Sequence, residues 1–335
     1  MKRKKVTMKD IADRLSISNV TVSKALNDKE GVGDELREQI KEIANEIGYK
    51  YSNKSSQQLI DKSCKIGVIV ADRFVNKTKA FYLEMYHNLT EVLSEYDYFS
   101  MLEIIKKDDE LDCITPSIIQ NNNFDGIIIL GQMKEKYVNY IIGLGLPIVC
   151  LDFYVKNSKV PCVISDNFYG SYMLTNHLFE NGHREIGFVG SINSTNSIQD
   201  RYLGYYKCLL ENGLSLNSDY IIPDRNADGD KIEFILPEKL PTAFVCNCDQ
   251  TAYNFIEHLN SLGINVPNDI SIVGFDNYIY ATLCKPQLTT VVVNMKKMVT
   301  ASVFALINII NNKNNPSNRI LISDKLLIRD SVKKI

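Results

Sequence analysis

From Lys65 onward the chain keeps returning to one pattern, a short unbroken apolar run rich in Val, Ile and Phe followed by a stretch with helical spacing. The runs read KIGVIV, FSMLEII, DGIIIL, PIVCL, CVIS, EIGFVG, TAFVCN and ISIVGF. A strand wetted on one side alternates apolar and polar residues. An unbroken run between helices is a strand covered on both faces, as in a parallel sheet flanked by helices. The pattern therefore predicts an α/β body, and the number of runs predicts two doubly wound parallel sheets. At 335 residues the chain exceeds one ordinary core, so two or three domains are expected.

The segment before Lys65 is of another kind. Residues 1–65 carry 14 Lys+Arg against 10 Asp+Glu, whereas the remainder carries 24 against 30. A basic first fifth on an acidic body suits a nucleic-acid-binding head on a second module. Thr7 can cap a helix, with Asp10 three residues on returning the contact to the cap's own N–H. Ile11, Ala12 and Leu15 then recur at helical spacing. The pattern breaks at Leu15-Ser16-Ile17-Ser18, and Ser18 can cap a second helix from Asn19 to about Leu26. Two short helices joined by a tight turn make a helix-turn-helix. A third amphipathic helix, about Asp34 to Ile47, would cover them with Leu36, Ile40, Ile43, Ala44 and Ile47.

In such a motif the start of the second helix meets base edges. Val22, Ala25 and Leu26 share the inward face, which leaves Asn19, Val20, Ser23 and Lys24 outward. Asn can read adenine, Lys can reach guanine acceptors, and Val can meet a thymine methyl. Thr21 and Ser23 suit phosphate oxygens. Thr7, Ser18 and Asn27, at the edges of the same motif, complete the expected DNA-facing set. The polar stretch that follows, KYSNKSSQQLIDKSCK, reads on composition as a linker.

Several function classes are disfavoured. An apolar content of 45% with 23% charged residues describes a soluble globular chain. No apolar run approaches the ~18 residues of a membrane span. The basic start leads into an amphipathic helix rather than an apolar stretch, so export is not expected and a cytoplasmic location is. The eight cysteines lack zinc-site spacing and read as reduced, mostly buried thiols. No metal or cofactor is expected. His87, His177, His183 and His258 lie in or beside helical stretches, and no nucleophile elbow, Walker loop or dinucleotide fingerprint joins a strand to a helix. Catalysis is the disfavoured account.

Acidic residues recur where the apolar runs end: Asp72, Asp152, Asp166, Asp249 and Asp276. Ligands of open parallel sheets bind beyond the carboxyl ends of the strands, and carboxylates there, with Arg201 and nearby aromatics, suit a hydroxyl-rich ligand. Helix capping is the competing role, above all for Asp166 and Asp249, each of which precedes a helical stretch.

The chain also resembles the LacI/GalR family of bacterial repressors. In the head the similar segments are Val6-Thr7-Met8-Lys9-Asp10-Ile11-Ala12, Val20 to Asn27, and Ile47-Gly48-Tyr49. In the body they include Phe124 to Gly131, Gly182 to Gly190, Arg201 to Tyr205, Val266 to Asp276, Pro286 to Val291, and Arg329-Asp330-Ser331. The family usually has Arg where this chain has Lys24, and Ser where it has Gly33, which bears on which operator is read. The resemblance implies a body like periplasmic sugar-binding proteins, two lobes with the chain crossing between them three times. The expected organisation is a head at 1–50, a hinge linker at 51–64 and an effector-binding and dimerisation domain at 65–335. Lobe 1 would hold 65–163 and 292–319, and lobe 2 would hold 164–291 and 320–335.

It further implies a homodimer on a near-palindromic double-stranded operator, whose affinity for DNA a saccharide effector would modulate. A hinge helix formed on the operator would press Leu59 into the minor groove. The implied effector contacts are Phe81 and Tyr82 stacking on the ligand and Asp152, Arg201 and Asp276 holding hydroxyls, with Asp249 and Phe153 as further members. Plain packing remains the other role for the aromatics. Two other readings are the same architecture switched on by a corepressor or phosphorylated carrier protein, and a carbohydrate-binding protein with a vestigial head. Nothing after Arg329 carries leucine heptads, so a tetramerising tail is not expected.

Overall fold

The computed structural model describes residues 7–26, 31–46, 65–75, 81–120, 124–156, 159–313 and 318–335. The chain divides into two compact units, Met1–Ser63 and Cys64–Ile335. The expected hinge at 51–64, with Leu59, and the expected DNA contact Asn27 lie outside the described residues.

In the first unit, helix α1 runs Met8–Leu15, α2 Asn19–Leu26 and α3 Asp34–Glu46. Thr7 donates from its backbone N–H (2.6 Å) and its hydroxyl (2.7 Å) to the Asp10 carboxylate, the reciprocal half of a capping box. Ser16 ends α1 in the left-handed conformation (φ 54°), and Ser18 Oγ accepts the Thr21 N–H at 3.0 Å to start α2. Ile11, Ala12, Val22, Ala25, Leu26, Ile40 and Ala44 form the small core, flanked by Leu15, Leu36 and Ile43.

The second unit holds two parallel sheets. The larger is built from β1 (Lys65–Ala71), β2 (Phe99–Ile105), β3 (Gly126–Leu130), β4 (Ile148–Leu151), β5 (Cys162–Ser165) and β11 (Arg319–Ile322), in the order β11-β5-β4-β3-β1-β2. Helices α4 (Phe81–Ser94), α5 (Lys107–Asp112), α6 (Ser117–Gln120) and α7 (Glu135–Gly143) lie between its strands in sequence. The smaller sheet has the order β7-β6-β8-β9, from β6 (Ile186–Val189), β7 (Ile221–Ile222), β8 (Ala243–Cys246) and β9 (Ser271–Val273). With it go α8 (Asn167–Glu180), α9 (Asn196–Glu211), α10 (Asp249–Ser261) and α11 (Ile279–Leu283). β10 (Thr290–Val292) pairs antiparallel with β12 (Lys325–Leu327), and α12 (Met295–Ile310) packs back against the larger sheet.

Burial on both faces explains the runs of the inner strands, whereas β2 departs from it: it is an edge strand of the larger sheet and leaves Phe99, Met101 and Ile104 exposed. Val68, Val70, Ile128 and Leu130 pack with Met85, Leu89, Met298 and Leu306, while Ile69, Ile127 and Ile129 pack with Tyr137, Val138 and Ile141. All eight predicted runs are strands. The short strands β7, β10, β11 and β12 were not expected. β7 has only two residues, the apolar runs at β10 (Val291–Val293) and β12 (Leu326–Ile328) are only three residues long, and β11 alternates exposed and half-buried residues as an edge strand does. The expected lobe boundaries at 163/164 and 319/320 cut β5 and β11, whose pairing puts both strands wholly in the larger sheet. The chain leaves that sheet after β5, returns into α12 and leaves again after β11. Ser165 Oγ donates to the Asp324 carboxylate (2.5 Å), tying the first and last of these passages together.

Helices α8 and α9 approach closely because Gly204 faces the α8 backbone. A Cβ there would lie 2.0 Å from the Phe168 carbonyl oxygen. Gly204→Val should therefore force the helices apart and destabilise the body by about 1–3 kcal/mol. A urea unfolding midpoint equal to that of the parent chain would contradict this close approach.

Candidate functional site

On the head, the start of α2 projects the residues that the helical periodicity leaves outward. Ser18, Asn19, Val20 and Lys24 are exposed and Thr21 and Ser23 are half-buried, while Val22, Ala25 and Leu26 are buried in the core. Val20 is 66% exposed, a β-branched apolar side chain in water at the tip of a helix, where the head's own core makes no use of it. Thr7 is also exposed, at the N-terminus of α1. Ser18 Oγ and Thr21 Oγ1 lie 2.9 Å apart, so the capping serine also orients the threonine.

In the body, the loops beyond the carboxyl ends of both sheets close around a cavity of about 130 Å³. Asp152 stands directly after β4, Asn247 and Cys248 after β8, Asp276 after β9, and Arg201 reaches in from α9. This is where open parallel sheets place ligands. Five of the expected residues line the cavity together: Phe81, Tyr82, Asp152, Arg201 and Asp276.

Arg201 organises the floor. Its Nε donates to Asn167 Oδ1 (2.8 Å), Nη1 to the Asn247 carbonyl (2.5 Å) and Nη2 to Asp276 Oδ1 (3.2 Å). Its guanidinium also lies 3.8 Å from the Phe275 ring centroid, a cation–π contact on the buried side. Asp276 (φ 111°) and Asn277 (φ 52°) both have positive φ, and Arg329 Nη2 holds Asn277 Oδ1 at 2.7 Å. Non-glycine residues kept in such conformations are a mark of functional loops. Across the cavity Tyr82 donates its hydroxyl to Asp152 (2.7 Å), and Asp152 too is left-handed (φ 68°).

Burial dominates the electrostatics. It pushes the Asp276 carboxyl up to about 7, with Arg201 pulling it back and Asp152 and Asp324 adding repulsion. Burial likewise raises Asp152, against the opposing pull of Tyr82 and Arg201. At Asp224 burial also acts upward, but Arg225 beside it, with Thr251 and Asn247, outweighs that and holds the carboxyl at about 2.

The aromatic wall is larger than expected. Phe81 meets Tyr82 edge to face at 5.3 Å between centroids and Tyr278 at 5.9 Å, and Phe74 tilts against Tyr82 at 4.9 Å. Phe74, Tyr278, Tyr280, Thr195, Gln250 and Arg225 line the cavity without having been picked out in the sequence. Tyr278 follows Asp276 in the same strand-end loop and Tyr280 lies in the first turn of α11 just beyond it, so the rule that found Asp276 points toward both. Arg225 follows the two-residue strand β7, too short to be seen as a strand.

Two expected contacts are corrected. Asp249 does not line the cavity: it is fully buried, its Oδ1 accepting from Thr290 Oγ1 (2.7 Å) and its Oδ2 from the Tyr278 N–H (2.9 Å). It braces the loop that carries Tyr278. Gly274 makes room for this carboxylate, since a Cβ there would meet Asp249 Oδ1 at 2.2 Å. Phe153 is also absent from the cavity, being 2% exposed and packed with Ile129, Tyr137 and Cys150 in the core. Of the other strand-end carboxylates, Asp166 caps α8 through the Tyr169 N–H (3.2 Å).

Residues 7–52 match the family described as bacterial regulatory proteins, lacI family, and residues 175–332 match the periplasmic binding protein-like domain. Among curated relatives, the chain is 25% identical to the probable HTH-type transcriptional repressor ExuR of Bacillus subtilis (strain 168). It is 27% identical to catabolite control protein A of Priestia megaterium, and each alignment covers 98% of this chain and 99% of the relative. The fold is similar to that of the lac repressor dimer bound to operator and an anti-inducer (TM-score 0.70, 20% identity, 98% of this chain and 100% of that one). It is also similar to that of a CelR–cellobiose complex (TM-score 0.69, 20% identity, 97% and 99%). Among the described residues no helix is long and apolar enough to cross a membrane. Head, body and full-length relatives agree, and the chain belongs to the lacI family of bacterial regulatory proteins, as a DNA-binding transcription regulator rather than an enzyme.

Proposed function

We propose that this regulator is a cytoplasmic repressor that binds a near-palindromic operator as a homodimer and changes its grip on DNA when a saccharide enters the body cavity. The observation that carries the reading is the convergence of Asp152, Arg201 and Asp276 with Phe81, Tyr82 and Tyr278 around one cavity. Carboxylates and a guanidinium match the donors and acceptors of sugar hydroxyls, and aromatic faces cover the apolar faces of a pyranose ring. Two structural relatives add support, one solved with cellobiose and one as a dimer on operator. On this reading the body is two lobes, one per sheet, with the boundaries drawn after β5 and β11. A ligand touching both lobes favours one relative angle over another, and couplings of this kind are typically about 1–3 kcal/mol.

On the head, the proposed DNA-facing set is Thr7, Ser18, Asn19, Val20, Thr21, Ser23 and Lys24, with Asn27 and Leu59 as further contacts. Lys24→Ala should weaken operator binding by about 1–3 kcal/mol and relax the preference at a single base pair. Anisotropy titrations on the operator and its single-base variants measure both. A uniform loss at every variant would assign Lys24 to phosphate instead.

On the body, Arg201→Ala should weaken saccharide binding by roughly tenfold or more, because a hydrogen bond to a charged group contributes about 1.5–3 kcal/mol. Operator binding should persist. Titrating operator with and without the sugar tests this, and loss of operator binding in the variant would contradict the division of labour between head and body.

Asp276 makes the site sensitive to pH. The folded chain holds this proton more tightly than the unfolded chain does. The group's contribution to stability is therefore full below the ordinary Asp value and is lost as pH rises to about 7. Sugar hydroxyls donate to the carboxylate form, so saccharide affinity should rise between pH 5.5 and 8, and Asp276→Asn should flatten that rise. Calorimetry across this range gives the result, and a pH-independent affinity in the parent chain would remove Asp276 from the contact set.

A further inference from the structure

Beside the inner cavity lies a second, larger one of about 320 Å³, and Phe74, Thr195 and Arg225 line both. The outer cavity is bounded by Asp72, Arg73 and Lys107 on one side and by the 227–230 turn on the other. Together the two fall within the range of ~300–1,000 Å³ typical of small-molecule sites, whereas the inner one alone falls well short. The two cavities abut at these three residues, so a ligand seated on Arg201 and Asp276 that extends past Arg225 and Phe74 reaches the outer one.

The charges of the outer cavity decide what kind of extension it takes. Four cations line it, Arg73, Lys107, Lys134 and Arg225, which at first suggests an anion. Three of them already hold carboxylates. Arg73 forks onto the buried Glu110 and donates to the Gln132 carbonyl (2.7 Å). Arg225 forks onto Asp224 (2.6 Å), and Lys107 meets Asp228 (2.8 Å) across the mouth. With Asp72 and Asp230 added, the four cations face five carboxylates. An anionic group entering here would have to displace these carboxylates or sit among them. A neutral, hydroxyl-bearing group would instead find paired charges with spare hydrogen-bonding capacity, the Gln132 and Thr195 side chains, and the Phe74 ring at the junction.

Building on the proposed saccharide reading, we infer that the effector is an uncharged oligosaccharide of at least two sugar units, one held by Asp152, Arg201 and Asp276 and the next in the outer cavity. The outer unit extends the contact from Arg73 and Lys107 on the larger-sheet side to Asp228 and Arg225 on the smaller-sheet side. The second unit thereby adds to the affinity and to the linkage between the two sides.

The test is calorimetry on the full chain with glucose, galactose and mannose, with cellobiose, maltose, lactose and melibiose, and with galacturonate, glucuronate and glucose 6-phosphate. The expected result is that one neutral disaccharide binds at least tenfold more tightly than either constituent monosaccharide and than every charged sugar. Ala227→Phe, at an exposed position in the turn that lines only the outer cavity, should reduce the ratio of disaccharide to monosaccharide affinity toward one, with thermal melting of the unliganded variant checking its fold. A monosaccharide that binds as tightly as any disaccharide, preference for a charged sugar, or a ratio untouched by Ala227→Phe in a folded variant would each overturn the inference while leaving the saccharide reading in place. Absence of binding by every sugar in the panel would overturn both.

Discussion

The body's ligand-facing surface depends on the placement of one buried guanidinium. A charge taken out of water must be met on every side or the fold pays several kcal/mol. Arg201 meets that demand from three different parts of the chain: Asn167 at the start of α8, the Asn247 carbonyl after β8, and Asp276 after β9. Its three bonds fix where those segments end relative to one another. The strained backbone at Asp276 and Asn277 is held in the same way, by Arg201 on one side and Arg329 on the other. Two of the groups that satisfy this cation, Asn247 and Asp276, line the cavity.

The rest of the cavity follows a similar logic of braced loops. Asp249 is buried and spends both oxygens on the neighbouring strand and loop, which steadies Tyr278 against Phe81. Asp224 neutralises Arg225 while Thr251 and Asn247 satisfy its remaining lone pairs. The strand-end carboxylates of this chain therefore have different tasks: Asp152 and Asp276 face the inner cavity, Asp72 lines the outer one, Asp249 holds the loop that carries Tyr278, and Asp166 caps α8.

How much of this could be seen in the sequence depends on length of pattern. The head was legible because its caps are local: Thr7 with Asp10, and Ser18 with Thr21, are contacts three residues apart. The inner strands were legible because burial on both faces leaves an apolar run, and even β9, three residues long, sits within the run ISIVGF. β7, β10, β11 and β12 were not, being too short or too exposed to carry one. Asp152, Arg201 and Asp276 were found by the strand-end rule and by resemblance. The same rule named Asp249, but it cannot tell an outward carboxylate from one turned back to Thr290, because that depends on a strand some forty residues away. Phe153 failed for a related reason: whether a side chain next to a strand end turns toward the core or the ligand is decided by neighbours such as Tyr137. Arg225 was hidden behind a strand of two residues.

The bond between Ser165 and Asp324 has a mechanical consequence. It joins two of the three passages between the sheets at the point where β5 and β11, already neighbours, give out. The remaining passage begins at β10, which pairs antiparallel with β12, the strand that follows Asp324. Three strands fastened side by side behave as a strap rather than as three separate threads. A strap resists shear and stretching but bends about its own width, so the relative motion it leaves is largely a rotation about a single axis.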